Sequence, residues 1–270
     1  MDVHQFGRNV MGEAARKIDV IDTRPAYTQA DADALNTRFE GVDTVAMLTA
    51  LFDERQLGEV AVVSSFGTES AVLLHLVASV DPTIPVTFVD TLKMFPETLD
   101  YRDTLIRQLG IKNANVVQPK PEVLAEKDEN GLRWSFDPDG CCEIRKVEPL
   151  ARAKSGLDSW ISGRKAFQSV TRNNIPRFEI DDGRLKINPL GDWVKDDLEA
   201  YFAEHDLPRH PLEAQGYLSV GCAPCTSKVL PGEDPRAGRW RGWDKTECGI
   251  HEDVTPLPGK GDDGANDPIF

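Results

Sequence analysis

Between residues 59 and 118 the chain alternates short β-branched runs with helical stretches, joined by only a few residues each. Glu59 to Ser65 (Glu-Val-Ala-Val-Val-Ser-Ser) reads as a buried strand. Ala71 to Val80 is apolar almost all round, as a buried crossover helix requires. A second strand is predicted over Pro85 to Asp90. A helix follows from Pro96 to Gly110, with Pro in its first turn and Gly past its end. Ala114 to Gln118 is the third strand. Joins this short force right-handed crossovers, and hence an α/β fold with a parallel sheet covered on both faces. Such sheets bind ligands beyond the C-terminal ends of their strands. Ser64 to Ser70 and Asp90-Thr91 therefore lie on the expected binding edge.

The flanking segments are less constrained. Residues 1 to 57 read as an N-terminal helical region, with Val42, Val45, Ala46, Leu48, Leu51 and Phe52 on one packing face. Residues 119–139 are charged and turn-rich, as in a surface excursion. Cys141 is expected to begin a helix running through Ile144, Val147 and Leu150, bent or stopped at Pro149. Ser159 to Gly163 reads as a strand, and residues 164–174 as a polar loop carrying Arg164, Lys165 and Arg172. Asp181-Asp182-Gly183 signals a hairpin. Lys195 to His205 reads as an amphipathic helix and Glu213 to Tyr217 as a shorter one, with loop-like chain after Cys225. The expected organisation is one domain: 1–57 packed on a core at 58–230, then a C-terminal segment and tail at 231–270.

Charge narrows the function. A net charge of -14 over 270 residues argues against a sequence-independent grip on nucleic acid. An anionic small molecule needs only a local pocket of Arg and Lys. No apolar run approaches the roughly 18 residues of a membrane span, and Met1 to Glu13 lacks a secretory pattern. A cytoplasmic protein with reduced thiols is expected.

The chain has five cysteines. Cys141-Cys142 and Cys222-Ala-Pro-Cys225 form two tight pairs. A single zinc accepts C-x-x-C well, but adjacent cysteines on one tetrahedral ion are awkward. The corners of an iron–sulfur cluster suit neighbouring thiolates better, and zinc stays open. Arg145 and Lys146 follow the adjacent pair, either as counter-cations or as a solvated helix face. Cys248 stands alone in Glu-Cys-Gly-Ile-His, either inert or nucleophilic. Lys245 and His251 would favour its thiolate, and Glu247 opposes it. If the other four bind metal, Cys248 has no partner thiol in the chain, so reduction of a covalent intermediate falls to another molecule. The turn at Ser64, Ser65, Gly67 and Thr68 could meet an anion with its backbone N–H groups. It lacks the lysine and spacing of a nucleoside-triphosphate P-loop. Glu69 is wrong for phosphate and is expected to face away or to bond a hydroxyl group. Arg236-Ala-Gly-Arg239-Trp-Arg-Gly-Trp243 offers guanidinium forks for phosphate or sulfate, or else is a basic surface turn.

Six stretches together resemble one family: Ser-Ser-Phe-Gly-Thr-Glu-Ser, Val-Asp-Thr with a following Pro-Glu-Thr, Cys-Cys-Glu-Ile-Arg-Lys-Val-Glu-Pro-Leu, Gly-Tyr-Leu-Ser-Val-Gly-Cys-Ala-Pro-Cys-Thr, Gly-Arg-Trp, and Glu-Cys-Gly-Ile-His. They span residues 60 to 251 in the order found in assimilatory adenylyl-sulfate (APS) and phosphoadenylyl-sulfate (PAPS) reductases, most like the bacterial iron–sulfur APS type. The resemblance implies an adenine nucleotide α-hydrolase-like fold of the PP-loop type, with a C-terminal extension carrying the nucleophile. It implies a [4Fe-4S] cluster on Cys141, Cys142, Cys222 and Cys225. It implies that Cys248 attacks the substrate sulfur, releasing AMP, and that thioredoxin or a glutaredoxin-like dithiol then frees sulfite. Lys146, Arg236, Arg239 and His251 match positions at the phosphosulfate. Ser64, Gly67, Glu69 and Val89 match positions at the nucleotide, and Gly163, Gln168 and Arg172 a mobile substrate loop. Three places depart from the family's pattern: the Phe-Gly-Thr-Glu-Ser turn, the Asp-Thr-Leu-Lys-Met-Phe-Pro segment, and a loop one residue short at 164–172. The reading is APS reduction in sulfate assimilation and cysteine biosynthesis. Its rivals are PAPS or dual specificity, an ATP-dependent thiolation enzyme on the same fold, and a metal-stabilised binding protein that has no need of Cys248. The resemblance leaves room for a homo-oligomer and implies neither nucleic-acid nor membrane partners.

Overall fold

A computed structural model describes residues 27–166, 175–245 and 247–249. Strands β1 (Val60–Val63), β2 (Val86–Val89), β3 (Ala114–Val117), β4 (Ser159–Ser162), β5 (Phe178–Asp181) and β6 (Arg184–Ile187) form one sheet of order β3-β2-β1-β4-β6-β5. The pairs among β3, β2, β1, β4 and β6 are parallel, and β5 runs antiparallel to β6. The predicted parallel sheet is therefore mixed at one edge. The reason is the hairpin at Asp182-Gly183, where φ values of +51° and +71° fit a tight two-residue turn. Asn36 closes that edge: its side-chain amide donates to Phe178 O and accepts from Phe178 N.

Helices α1 (Gln29–Arg38) and α2 (Thr44–Asp53) precede the sheet. The packing face of α2 is Thr44, Met47, Leu48 and Leu51, whereas Val45 and Ala46 are exposed. The sequence-based face is thus rotated. Asp43 caps the helix through Val45 N and Ala46 N, and this fixes its start and phase. Helix α3 (Ser70–Val80) buries Ala71, Val72, Leu73, Leu74, Leu76 and Val77, as expected of a crossover helix. Helix α4 (Pro96–Gln108) also forms as predicted. Residues 119–139 are more than a surface excursion. They hold α5 (Pro121–Lys127) and a single 3-10 turn, and Asp128 is buried.

The helix at the adjacent cysteines starts earlier than predicted. Helix α6 (Pro138–Cys142) runs into a π-turn at Glu143–Val147 and then α7 (Glu148–Lys154). Pro149 does not stop it, because Pro149 falls in the first turn of α7, where no N–H is needed. The Glu148 N–H bonds Glu143 O, five residues back, and this wider turn absorbs the proline. Helix α8 (Lys195–Glu204) packs near α3. The predicted short helix at Glu213–Tyr217 is a 3-10 turn over Glu213–Gln215. No described helix is long and apolar enough to cross a membrane.

One buried histidine gives the fold a pH signature. His210 is 1% exposed, its Nδ1 accepts from Leu212 N at 3.2 Å, and its Nε2 lies 3.1 Å from Thr98 Oγ1. Nδ1 must be unprotonated to accept, so a second proton would break that bond. Burial pushes the imidazole down from 6.5 to about 4, against a smaller opposing pull from Glu97. The unfolded chain therefore takes the proton first. This contribution is complete above about pH 6.5 and is lost as pH falls towards 4. About 2 kcal/mol of stability is expected to disappear between pH 7 and pH 5. Urea titrations at the two pH values measure it, and His210→Gln should shrink the difference by most of that amount.

Candidate active site

The C-terminal ends of β1, β2 and β4 open onto a cavity of about 210 Å3. After β1 the backbone turns through Phe66, a non-glycine residue at φ +49°. Its ring is 1% exposed and packs edge-on against Phe88 at 5.5 Å, which holds the strained turn in place. The Phe66 N–H bonds Ser64 Oγ at 3.2 Å, and Thr68 Oγ1 donates to Leu218 O at 3.1 Å. The turn leads straight into the N-terminus of α3, where backbone N–H groups favour an anion.

Around this cavity the fold gathers Ser64, Ser65, Gly67, Thr68, Glu69, Val89, Lys146 and Gly163 with Arg236, Arg239 and Cys248. Gln168, Arg172 and His251 lie outside the described residues. Sequence reasoning assigned no substrate-site role to Arg164, Lys165 or Trp240 and gave Glu247 only opposition to the Cys248 thiolate, yet all four line the same space. Glu69 does not face away: it lines the cavity and accepts from Lys165 Nζ at 3.0 Å. Lys165 is only 3% exposed, and a buried ammonium needs a counter-charge. The adjacent pair of cations after β4 was the available signal. Arg164 Nη1 donates to Glu179, which also accepts from Lys186 and Asn188, so this corner of the cavity is braced by β5 and β6.

Two guanidiniums in the wall, Arg164 and Arg239, each bury an Nε that has no hydrogen-bond partner among the described residues, and of the two Arg239 makes no carboxylate ion pair there. The Arg239 guanidinium lies 4.4 Å from the Trp240 ring centre and against the Gly221 backbone, where an added Cβ would come within 2.3 Å of Nη2. Glycine at 221 is what lets the fork lie there. An unmet buried donor costs about 1–3 kcal/mol, so its retention in a cavity points to an acceptor supplied by a ligand. Arg236 instead reaches Glu247 Oε2 at 3.1 Å.

Cys248 is half-buried at the same cavity. Gly249 follows it at φ +81°, close beside Val147 of the π-turn. Lys245, expected to favour the thiolate, pairs with Asp139 and sits over Trp240.

Behind the cavity, Cys141, Cys142, Cys222 and Cys225 line a second, smaller space together with Trp134 and Pro138. Lys146 and Trp240 belong to both walls and form the partition between them. None of these cysteines is in a disulfide. Among the described residues, no group of three or more His, Cys, Asp or Glu side chains is arranged to hold a single metal ion. Burial, then the neighbouring Cys142 and Cys222, pushes the Cys141 thiol up to about 12. Burial pushes Cys142 to about 11, against the pull of Lys146. Burial works against the Lys146 charge, but the sulfurs of Cys222, Cys248 and Cys142 outweigh it and hold the ammonium above its ordinary range. Arg145 is not a solvated cation: it is 4% exposed, forked onto Asp128, and donates to Thr91 O at 2.9 Å. Thr91 Oγ1 lies 3.2 Å from Cys222 Sγ. The 222–226 segment is stitched on one side to Lys93 O by Ala223 N and on the other to Trp240 N by Cys225 O.

The family model described as the phosphoadenosine phosphosulfate reductase domain matches residues 59–228. A protein of Mesorhizobium japonicum named adenosine 5'-phosphosulfate reductase is 51% identical over 236 residues, covering 87% of this chain and 93% of the relative. One of the same name from Chelativorans sp. is 47% identical over 237 residues, covering 87% and 95%. A phosphoadenosine 5'-phosphosulfate reductase of Gloeobacter violaceus is 42% identical over 193 residues, covering 70% and 80%. Among solved structures, a phosphoadenylyl-sulfate reductase from Candida auris in a phosphate complex superposes with a TM-score of 0.64 at 25% identity, covering 76% of this chain and 99% of that one.

Proposed function

The chain belongs to the phosphoadenosine phosphosulfate reductase family, and on that premise we propose that it reduces APS to sulfite and AMP through a sulfur-bound Cys248. It is a sulfur-group oxidoreductase with an adenine nucleotide α-hydrolase-like α/β fold. The observation that carries the reading is the buried, unpartnered Nε of Arg239 beside Lys146, in one cavity with Cys248. The turn at Ser64 to Thr68 and the strand end at Val89 hold the nucleotide. Arg239 and Lys146 hold the phosphosulfate, with Arg236 beside them.

The Cys248 thiolate attacks the sulfate sulfur. An S–S bond forms, the S–O bond to the phosphate breaks, and AMP leaves with that bond's electron pair. Lys146 and Arg239 stabilise the charge gathering on the departing phosphate. A dithiol of the thioredoxin or glutaredoxin type then attacks Cys248 Sγ, and sulfite leaves. The partner's second thiol closes its own disulfide and returns Cys248 to the thiol, so the dithiol supplies both electrons.

The donor set at Cys141, Cys142, Cys222 and Cys225 fits a [4Fe-4S] cluster: four thiols line one space, two of them buried, with Arg145 and Lys146 as the nearby cations. When bound, such a cluster supplies a compact anionic centre able to carry an electron. Lys146 stands between the thiol wall and the substrate cavity, so its position is set from both sides.

Sulfur-labelled APS added without reductant tests the reading. About one equivalent of label per chain is expected on the protein, with AMP released in equal amount. Reduced thioredoxin should discharge the label as sulfite. Label that never leaves solution would sink the reading, and faster labelling from PAPS would make PAPS the substrate.

A further inference from the structure

Two carboxylates, Glu69 and Glu247, line the substrate cavity, and five cations face them: Lys146, Arg164, Lys165, Arg236 and Arg239. Lys165 pairs with Glu69, Arg164 with Glu179, and Arg236 with Glu247. Among the described residues, Lys146 and Arg239 alone of the five make no carboxylate ion pair. Two of these pairs are braces. Glu69 neutralises a lysine that is 3% exposed, and Glu179 is shared with Lys186, which is 2% exposed. In the Arg236–Glu247 pair the side chains are 19% and 17% exposed, and Arg236 Nη2 lies 3.1 Å from Glu247 Oε2. Glu247 also immediately precedes the cysteine that receives the sulfur.

We infer that Glu247 is the resident anion of the phosphosulfate subsite, holding Arg236 until substrate displaces it. This rests on the function proposed above. APS carries one negative charge on its phosphate and one on its sulfate, and Lys146 and Arg239 already match them. Arg236 is a third cation, for which substrate competes with Glu247. A dianion competes with the Glu247 carboxylate for Arg236, because its oxygens match the guanidinium fork. The exchange frees the residue beside Cys248 as the substrate arrives. When AMP leaves, Arg236 loses its anion and Glu247 returns. The carboxylate thus sets substrate affinity: it charges every binding event the free energy of one half-buried ion pair. Glu247 is a positioning residue, not a catalytic one, because it holds Arg236 and not the reacting atoms.

The test measures APS binding calorimetrically on the full-length, metal-loaded Cys248→Ser protein, in which the sulfur cannot transfer. Adding Glu247→Gln keeps the size and a neutral hydrogen bond but removes the competing charge. APS affinity should rise about five- to tenfold, in line with a half-buried, charge-assisted pair. In an Arg236→Ala background the same Glu247→Gln change should shift affinity by less than about twofold, because the competed group is gone. Unchanged or weaker binding in Glu247→Gln overturns the inference. So does a gain that persists without Arg236, which would be a long-range charge effect. A Cys248→Ser parent that takes up no APS removes the functional reading itself, and this inference with it.

Discussion

Serine at position 248 is expected to abolish sulfite formation, lowering turnover by at least about four orders of magnitude, while APS still binds. The separation follows from the geometry. Arg239 is packed on Trp240 and Gly221, and the turn at Ser64 to Thr68 is fixed by its own hydrogen bonds. A hydroxyl group fills nearly the same space as the thiol but is ionised far less at neutral pH and is a poorer nucleophile toward sulfur. The affinity for APS should therefore stay within about twofold of wild type, because the binding groups are untouched. A rapid-quench measurement makes the distinction: wild type gives a burst of AMP equal to the enzyme present, and Cys248→Ser gives none. Persistent AMP release by the serine variant, with sulfite appearing in step, would mean that the sulfur–oxygen bond breaks without a protein thiol.

The sheet and the binding edge were legible because each rests on local, periodic signals. Val60 to Val63, Val86 to Val89 and the largely apolar α3 could hardly form anything else at that spacing. The hairpin was legible from Asp182-Gly183, but the sheet edge it joins was not, because strand order is decided by packing across the chain. The phase of α2 was misread for a related reason: Val45 and Ala46 are apolar, yet the helix that starts at the Asp43 cap turns Thr44, Met47, Leu48 and Leu51 to the buried side.

Within the site, the cysteines were legible from spacing, since a four-plus-one division is visible in the sequence itself. Ion pairing was not. Glu69 meets Lys165 across 96 positions, and Glu247 meets Arg236 across 11 positions of non-periodic chain. A carboxylate in an anion site looks out of place until its partner is seen. Trp240 was hidden in a basic run, where its ring could equally have lain on the surface. Only the fold turns it inward, at φ +46° and 2% exposure, to separate the thiol wall from the substrate cavity.

The largest stability effect is expected at Asp128, in a segment whose sequence reads as surface. Its Oδ2 accepts from Arg145 Nε at 2.9 Å and Nη2 at 2.6 Å, and its Oδ1 accepts from Arg133 N at 2.8 Å. The two side chains are 5% and 0% exposed, so neither charge has water to fall back on. Asp128→Asn keeps the shape but removes the counter-charge and turns an NH2 group or a single carbonyl toward the guanidinium. The cost should be about 3–5 kcal/mol, that of leaving a buried charge uncompensated. Anaerobic denaturant titration measures it directly. The damage should also reach the thiol wall, because Arg145 holds Thr91 O, and Thr91 Oγ1 touches Cys222 Sγ. Metal should therefore be lost to a chelator faster from Asp128→Asn than from wild type, under conditions where both remain folded. The paired change Asp128→Leu with Arg145→Met removes both charges at similar volume. It should recover most of the lost stability, because the penalty lies in the unpaired charge and not in the missing bond. If Asp128→Asn melts within about 1 kcal/mol of wild type, the pair is solvated and this link between the 128 turn and Cys222 does not hold.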